Sequence, residues 1–195
     1  MSVRAERRTA LRAKLIEVTS KQIAKNGLRN VTARSVASEA DCAVGSIYTI
    51  FEDLDALFIA VNMQSFEMLA GKVARKMIEE EPETPTERLK VLAHSYFEFV
   101  QSQQNLWKAL FQIDMGAESD APKDYKDLVR SLLSLIGAPL LEISPDSSPK
   151  QIDTRARALF SSVHGIILLG IEGRLSAVST ENIGEMIDYL VETVS

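Results

Sequence analysis

The segment TARSVASEADCAVGSIYTIF, residues 32–51, decides how this chain is read. Thr32 is a side-chain N-cap placed just before an apolar-periodic run, which predicts a helix over Ala33–Ala40. Asp41, Cys42 and Ala43 are a break with room only for a turn, and a second helix follows over 44–50. Two helices of about eight residues, a turn of three or four and small residues where the helices cross are what a helix–turn–helix requires. Ala37 and Ala40 supply the close contact, while Val36 and Ile47 face a small core. The second helix then offers Ala43, Val44, Ser46 and Thr49 to the outside. Residues near its N-terminus are the ones that reach base edges in a major groove. The start of the first helix, with Thr32 and Arg34, presents free N–H groups and a positive dipole end that suit a phosphate. The same spacing also fits any helical hairpin, so geometry alone keeps both readings open.

Outward from this segment, helical spacing and cap signals recur and no useful period-2 stretch occurs, which predicts an all-α protein. Leu11, Leu15, Val18 and Ile23 stripe a helix over residues 9–26, closed by Gly27 where a left-handed residue is wanted. Downstream, Asp53 caps a helix to Glu80, about 40 Å long at 1.5 Å per residue. Thr84-Pro85-Thr86-Glu87 is a capping box that opens a helix to Gln103, and Asn105 caps a short helix carrying Trp107 and Phe111. Residues 116–122 read as a loop, and a helix from Pro122 is expected to break at Gly137 and Pro139. Ser148-Pro149-Lys150-Gln151 opens a helix to Ser176, and Thr180 caps the last one. The pattern predicts a three-helix head over residues 1–57, joined by the long helix to a body of five to six helices over 58–195.

Charge separates along the chain in the same way. The net charge is −5, yet residues 1–40 hold nine Lys/Arg against three Asp/Glu while the remainder holds thirteen against twenty-four, or +6 beside −11. A basic head on an acidic body points to a polyanion met by the head alone, although a solvated basic helix gives the same count. No apolar run reaches the roughly 18–20 residues of a membrane span, and the basic start lacks a signal peptide's apolar stretch, so a cytoplasmic protein with no membrane partner is expected. Cys42, the only cysteine, forms no internal disulfide; it reads as a small turn residue, with redox sensing as the alternative. Gly-rich phosphate loops, zinc-protease spacing and nucleophile triads are absent from the sequence. No catalytic residue, metal or cofactor is therefore expected, and His94 and His164 lack a third ligand nearby in sequence.

Ala40, Val44, Gly45, Ser46, Ile47, Tyr48 and Phe51, followed by Leu57 and Phe58, resemble the DNA-binding segment of the tetracycline-repressor (TetR) family. Ala24, Gly27, Thr32, Val36 and Ala37 extend the resemblance to about residues 9–60. It implies a ligand-responsive repressor that binds a palindromic operator in double-stranded DNA as a homodimer. On that resemblance Thr32, Arg34 and Ser35 approach the DNA backbone, Arg34 with reach to a base. Ala43, Val44 and Ser46 line the groove, Tyr48 and Thr49 touch phosphates, and Gly45 permits close approach. Read from the residues alone, Tyr48 also fits a packing role and Ser46 a plain spacer. Three positions depart from the family pattern: Asp41 replaces a glycine, Ala43 replaces a capping serine or threonine, and Leu54 replaces a frequent lysine. Glu52 and Asp53 add negative charge nearby. These departures support a rival reading, an interaction protein that kept the fold and lost DNA binding. Arg4, Arg7, Arg8 and Arg12 form either an N-terminal arm for DNA or a solvated tail.

In the body, Trp107 and His164-Gly165 resemble one C-terminal subclass of the family. Met63, Phe66, His94, Phe97, Trp107, Phe111 and His164 are candidates for an effector pocket that takes a small apolar or amphipathic molecule. Aromatics at helical spacing also fit plain core. The stretch 157–175 is apolar nearly all round and so is buried on more than one side. Phe160, Val163, Ile167 and Ile171, with Ile183, Ile187 and Leu190, are the expected dimer contacts, and a central helix of a monomer is the alternative.

Overall fold

The structure, a computed structural model, describes residues 3–113, 121–173 and 179–194. Among these residues it is all-α, with nine α-helices, two short 3-10 turns and no strand. The chain divides into two compact units, residues 1–68 with 102–125 and residues 69–101 with 126–195.

In the first unit, α1 (Val3–Asn26) packs on α2 (Ala33–Glu39) and α6 (Gln104–Ala109), and α2 packs on α3 (Val44–Tyr48). The first half of α4 (Leu54–Glu80) completes this unit. Its core centres on Leu15, Ile23, Val36, Ile47, Leu57 and Val61, none of them exposed. Ala37 and Ala40 are nearly as buried, at 2 % and 1 %, where bulkier side chains would separate the crossing helices. Leu106 and Ala109 of α6 join the same core. The sequence pattern assigned this helix to the body, whereas here it packs with the head. Asn105 was expected as its N-cap and is instead its second residue, donating from Nδ2 to the Ala24 carbonyl at 2.9 Å. A cap signal is local, and a contact made 81 residues away carries none.

The turn between α2 and α3 is a Schellman closure. Cys42 N–H donates to Ala37 O at 3.0 Å and Asp41 N–H to Ser38 O at 3.3 Å, with Asp41 left-handed at φ 55°. Glycine has no Cβ penalty there, and aspartate is among the side chains that tolerate it best. The other boundaries follow their caps. Asp53 Oδ1 accepts from Ala56 N–H at 2.7 Å to start α4. Thr84 and Glu87 exchange bonds at 3.2 and 2.9 Å to start α5 (Pro85–Ser102).

The second unit holds the rest of α4, α5, most of α7 (Lys123–Ile143), α8 (Pro149–Ile171) and α9 (Ile183–Thr193). The expected break at Gly137 and Pro139 does not occur, and α7 runs through both. A Cβ on Gly137 would stand 3.3 Å from Ile152 Cγ2 of α8, so this glycine marks a close helix contact rather than a stop. Ser148 and Gln151 form the expected capping box of α8. Thr180 does not cap the last helix directly; it begins a 3-10 turn that leads into α9. The Gly116–Pro122 loop falls mostly, and the expected helix end at Ser176 wholly, outside the described residues.

Removing the Cβ at the left-handed position should help folding. We expect Asp41→Gly to stabilise the protein by about 1 kcal/mol and Asp41→Val to destabilise it by a similar amount. Urea midpoints measure both, and a lower midpoint for Asp41→Gly would contradict the strain argument.

Candidate nucleic-acid interface

Ile47 is the pivot of the site. It is fully buried, so its side chain anchors α3 and leaves the opposite face of the helix outside. On that face Val44 is 39 % and Tyr48 51 % exposed, and Ala43, Gly45 and Thr49 are exposed too. Ser46 is half-buried at the edge. Thr32 and Arg34 are exposed at the start of α2. The structure therefore places eight of the nine expected contact residues at the surface or at its edge in the same unit. Ala43 adds no side-chain bond at the α3 N-cap, as its missing hydroxyl implies. Thr49 donates from Oγ1 to Ser46 O at 2.7 Å, which ties the exit of α3 and leaves its oxygen free to accept. Leu54, at the position of the missing lysine, packs against the core of the unit.

Ser35, the ninth, is half-buried and hydrogen-bonded on its inner side. Its hydroxyl accepts from Thr32 N–H at 3.1 Å and donates to Gln22 Oε1 at 2.8 Å, while Thr32 Oγ1 accepts from Ser35 N–H at 3.1 Å. Gln22 is 91 % buried in α1; its Nε2 donates to Ser35 O at 3.1 Å and to Glu39 Oε2 at 2.6 Å. One amide thus grips both ends of α2, and Ser35 helps to align the helix. The sequence reading missed Gln22, which stands on the apolar stripe of α1 where a polar residue was the available signal.

Glycine at position 45 has no explanation within the chain. An added Cβ there would meet nothing within 4 Å, and its φ is not in the left-handed range. Glycine inside a helix costs about 0.5–1 kcal/mol relative to alanine. The chain's own packing returns none of that.

The effector candidates fall on both units. Met63, Phe66, Trp107 and Phe111 belong to the first. Trp107 is 1 % and Phe111 53 % exposed, with ring centroids 6.0 Å apart, and Phe66 packs edge-on against Tyr125 at 5.5 Å. His94, Phe97 and His164 belong to the second unit. The histidines do not pair there: His94 Nε2 lies 2.8 Å from Asp188 Oδ1, and His164 Nδ1 lies 2.8 Å from the Tyr96 hydroxyl, with Phe160 alongside. A groove of about 370 Å³ between α7 and α8, floored by Leu133, Ala138, Ile152 and Ala156, includes none of the seven.

The expected dimer contacts need correcting in their side chains. Val163, Ile167, Ile183 and Ile187 are at most 4 % exposed within the single chain, where α8 packs on α9. They are committed internally and cannot also meet a partner. Phe160, Ile171 and Leu190 are half-buried, and Leu169 and Tyr189, at 42 % and 71 %, are the large apolar side chains these two helices expose.

Comparison with known proteins adds to this geometry. The family model described as bacterial regulatory proteins, tetR family, matches residues 15–61, and the tetracyclin repressor-like C-terminal domain matches residues 89–194. No curated protein matches by sequence. A protein of unknown function from Rhodococcus sp. RHA1 has the same fold, with TM-score 0.75 at 21 % identity over 94 % of this chain and 93 % of that one. A tetR-family transcriptional regulator from Streptomyces coelicolor superposes at TM-score 0.66 with 22 % identity over 100 % and 80 %. The multidrug binding protein EbrR, complexed with imidazole, does so at 0.63 with 21 % identity over 94 % and 93 %. At these identities the likeness is one of fold.

Two measurements test the side-chain assignments. Gln22→Ala should cost about 1–3 kcal/mol and Ser35→Ala about 1 kcal/mol, with the double variant well short of their sum because they share one network; strict additivity in denaturant unfolding would dissolve the network. In the second unit, burial holds the His164 imidazole below its ordinary value of 6.5, so its contribution to stability is complete above that pH and is lost as pH falls. The melting temperature should drop more steeply from pH 7.5 to about 5.5 in the wild type than in His164→Gln; parallel profiles would remove His164 as the cause.

Proposed function

The chain belongs to the TetR family of bacterial regulatory proteins, and from that we propose that it is a ligand-responsive repressor binding a palindromic operator as a homodimer. Membership itself makes it a DNA-binding helix–turn–helix regulator. The finer reading rests first on Gly45. A helix residue that weakens its own helix and leaves space unfilled is one whose benefit lies outside the chain, and close approach of α3 to a DNA duplex supplies it. Val44 and Ala43 beside it suit thymine methyl groups, Tyr48 and Thr49 suit phosphates, and Arg34 carries the charge at the start of α2. The proposed DNA-binding domain is residues 1–57, its core completed by α6, and the remainder of 58–195 is the proposed effector and dimerisation domain, acting in the cytoplasm where the operator lies.

Two recognition helices related by a two-fold axis read a palindrome, and α8 with α9 is the proposed seam, through Phe160, Ile171 and Leu190 with Leu169 and Tyr189. For the effector, an apolar or amphipathic molecule with a hydrogen-bond donor is favoured by one buried group. Asn62 has no exposed surface, its Oδ1 lacks a partner among the described residues, and its side chain lies beside the Tyr125 hydroxyl, which burial pushes up in pKa. Such a ligand would shift the population of body conformations and, through α4, the presentation of the two heads, lowering operator affinity.

Selection of bound duplexes from a random pool should enrich a two-fold symmetric site whose half-site centres lie about 34–36 Å, or a multiple of that, apart. Gly45→Ala should then stabilise the fold by about 0.5–1 kcal/mol while weakening binding to the enriched site about tenfold or more. No enrichment of any duplex, or Gly45→Ala binding as tightly as the wild type, would defeat this reading.

A further inference from the structure

The helix α1 begins six residues before its apolar stripe asks it to, and that extra length has an unusual surface. Its first buried residue is Leu15; residues 3–14 are exposed apart from half-buried Leu11. This segment holds Arg4, Arg7, Arg8, Arg12 and Lys14 against the single acid Glu6. A helical segment that buries almost nothing gains little from its own fold, so a basic projection of about 18 Å needs another purpose.

The placement of the arginines supplies one. At about 100° per residue, Arg4, Arg7, Arg8 and Arg12 fall within a sector of about 140° that also contains Leu11, Leu15 and Val18, while Glu6 points to the far side. The face of α1 that is buried in the head is thus continued, where the helix leaves the head, by arginine. This cationic face would suit an anionic partner on the side where α1 packs on α2. Arg12 ties the two together: its guanidinium sits 5.4 Å from the centre of the Phe51 ring, three residues past the end of α3. Arg4, Arg7 and Arg8 have no ion-pair partner among the described residues, in a protein whose net charge is −5.

We propose that the projecting part of α1, through Arg4, Arg7 and Arg8 with Arg12 as its anchor, is a second DNA-binding surface that follows the phosphate backbone beside the duplex segment held by α3. It rests on the DNA-binding reading above and extends the contact beyond the helix–turn–helix. It also compensates for Leu54, which packs inward where a phosphate-binding lysine is frequent. Exposed cations along one face give contact by charge, so the contribution is independent of sequence and sensitive to salt.

The test is the salt dependence of binding, measured by fluorescence anisotropy on a labelled duplex enriched by the wild-type protein from a random pool. Each phosphate contact adds about 0.9 to the slope of log affinity against log salt, so Arg4→Ala/Arg7→Ala/Arg8→Ala should lower the slope by two to three units. The helix itself should survive, because alanine is the strongest helix former; circular dichroism checks this. Replacement of the same three residues by lysine should restore most of the slope, since a phosphate accepts a point charge. Lys150→Ala, exposed in the second unit, should leave it unchanged. An alanine variant that keeps both fold and wild-type slope overturns the proposal while leaving the helix–turn–helix reading intact. A lysine variant as weak as the alanine one also overturns it, because backbone contact would then not be the role of these side chains. A wild-type protein that binds no duplex overturns both.

Discussion

The burial of Ile47 against Val36, Ala37 and Ala40 is the constraint on which the head depends. It fixes the angle between α2 and α3, and it turns Val44, Gly45 and Tyr48 outward because the same short helix has no second face to bury. Two alanines at the crossing let the backbones approach, and the left-handed Asp41 closes α2 in the space of a single residue. Gln22 adds the polar counterpart. With one buried amide it holds Ser35 and Glu39 and so keeps α2 from rolling on α1. The exposed ridge is therefore a by-product of core packing: its side chains are free because their neighbours are not.

Much of this was legible in the sequence because the signals are local. Thr32, Asp53, Thr84 and Ser148 each announce a helix start by side-chain chemistry within four residues, and each does so in the structure. The outward face of α3 follows from the period of a helix and one buried isoleucine. Signals that depend on distant partners were not legible. Asn105 looks like a cap and serves as a bridge to Ala24; Gly137 looks like a stop and serves as a contact for Ile152. The bond from the Ser35 hydroxyl to Gln22, thirteen residues away, likewise has no local signal. The apolar positions of α8 and α9 illustrate the same limit. Their spacing says that they are buried, and only the structure says that the chain buries Val163, Ile167, Ile183 and Ile187 by itself.

The distribution of charge gives the two units different electrostatic characters. In the second unit, cations are largely matched on the surface, as with Lys72 and Lys76 around Glu98 and Lys90 with Glu192. Arg88 likewise pairs with Glu142. Exposed pairs of this kind contribute little to stability, but they cancel fields. Along α1, among the described residues, Lys21 is matched by Glu17, and Arg4, Arg7 and Arg8 toward the N-terminus have no ion-pair partner. A field of one sign concentrated on one end of an acidic protein orients its approach to a polyanion before any specific contact forms.

The helix α6 has a consequence for how the chain can be divided. Leu106 and Ala109 complete the hydrophobic core of the head, and Asn105 ties to the end of α1, although the intervening residues 69–101 belong to the other unit. A fragment cut after α4 would carry every groove-facing residue and still lack part of its own interior. The reading head is thus a mosaic of two distant stretches of polypeptide, and it reaches its final form only after the ribosome has delivered the middle of the chain.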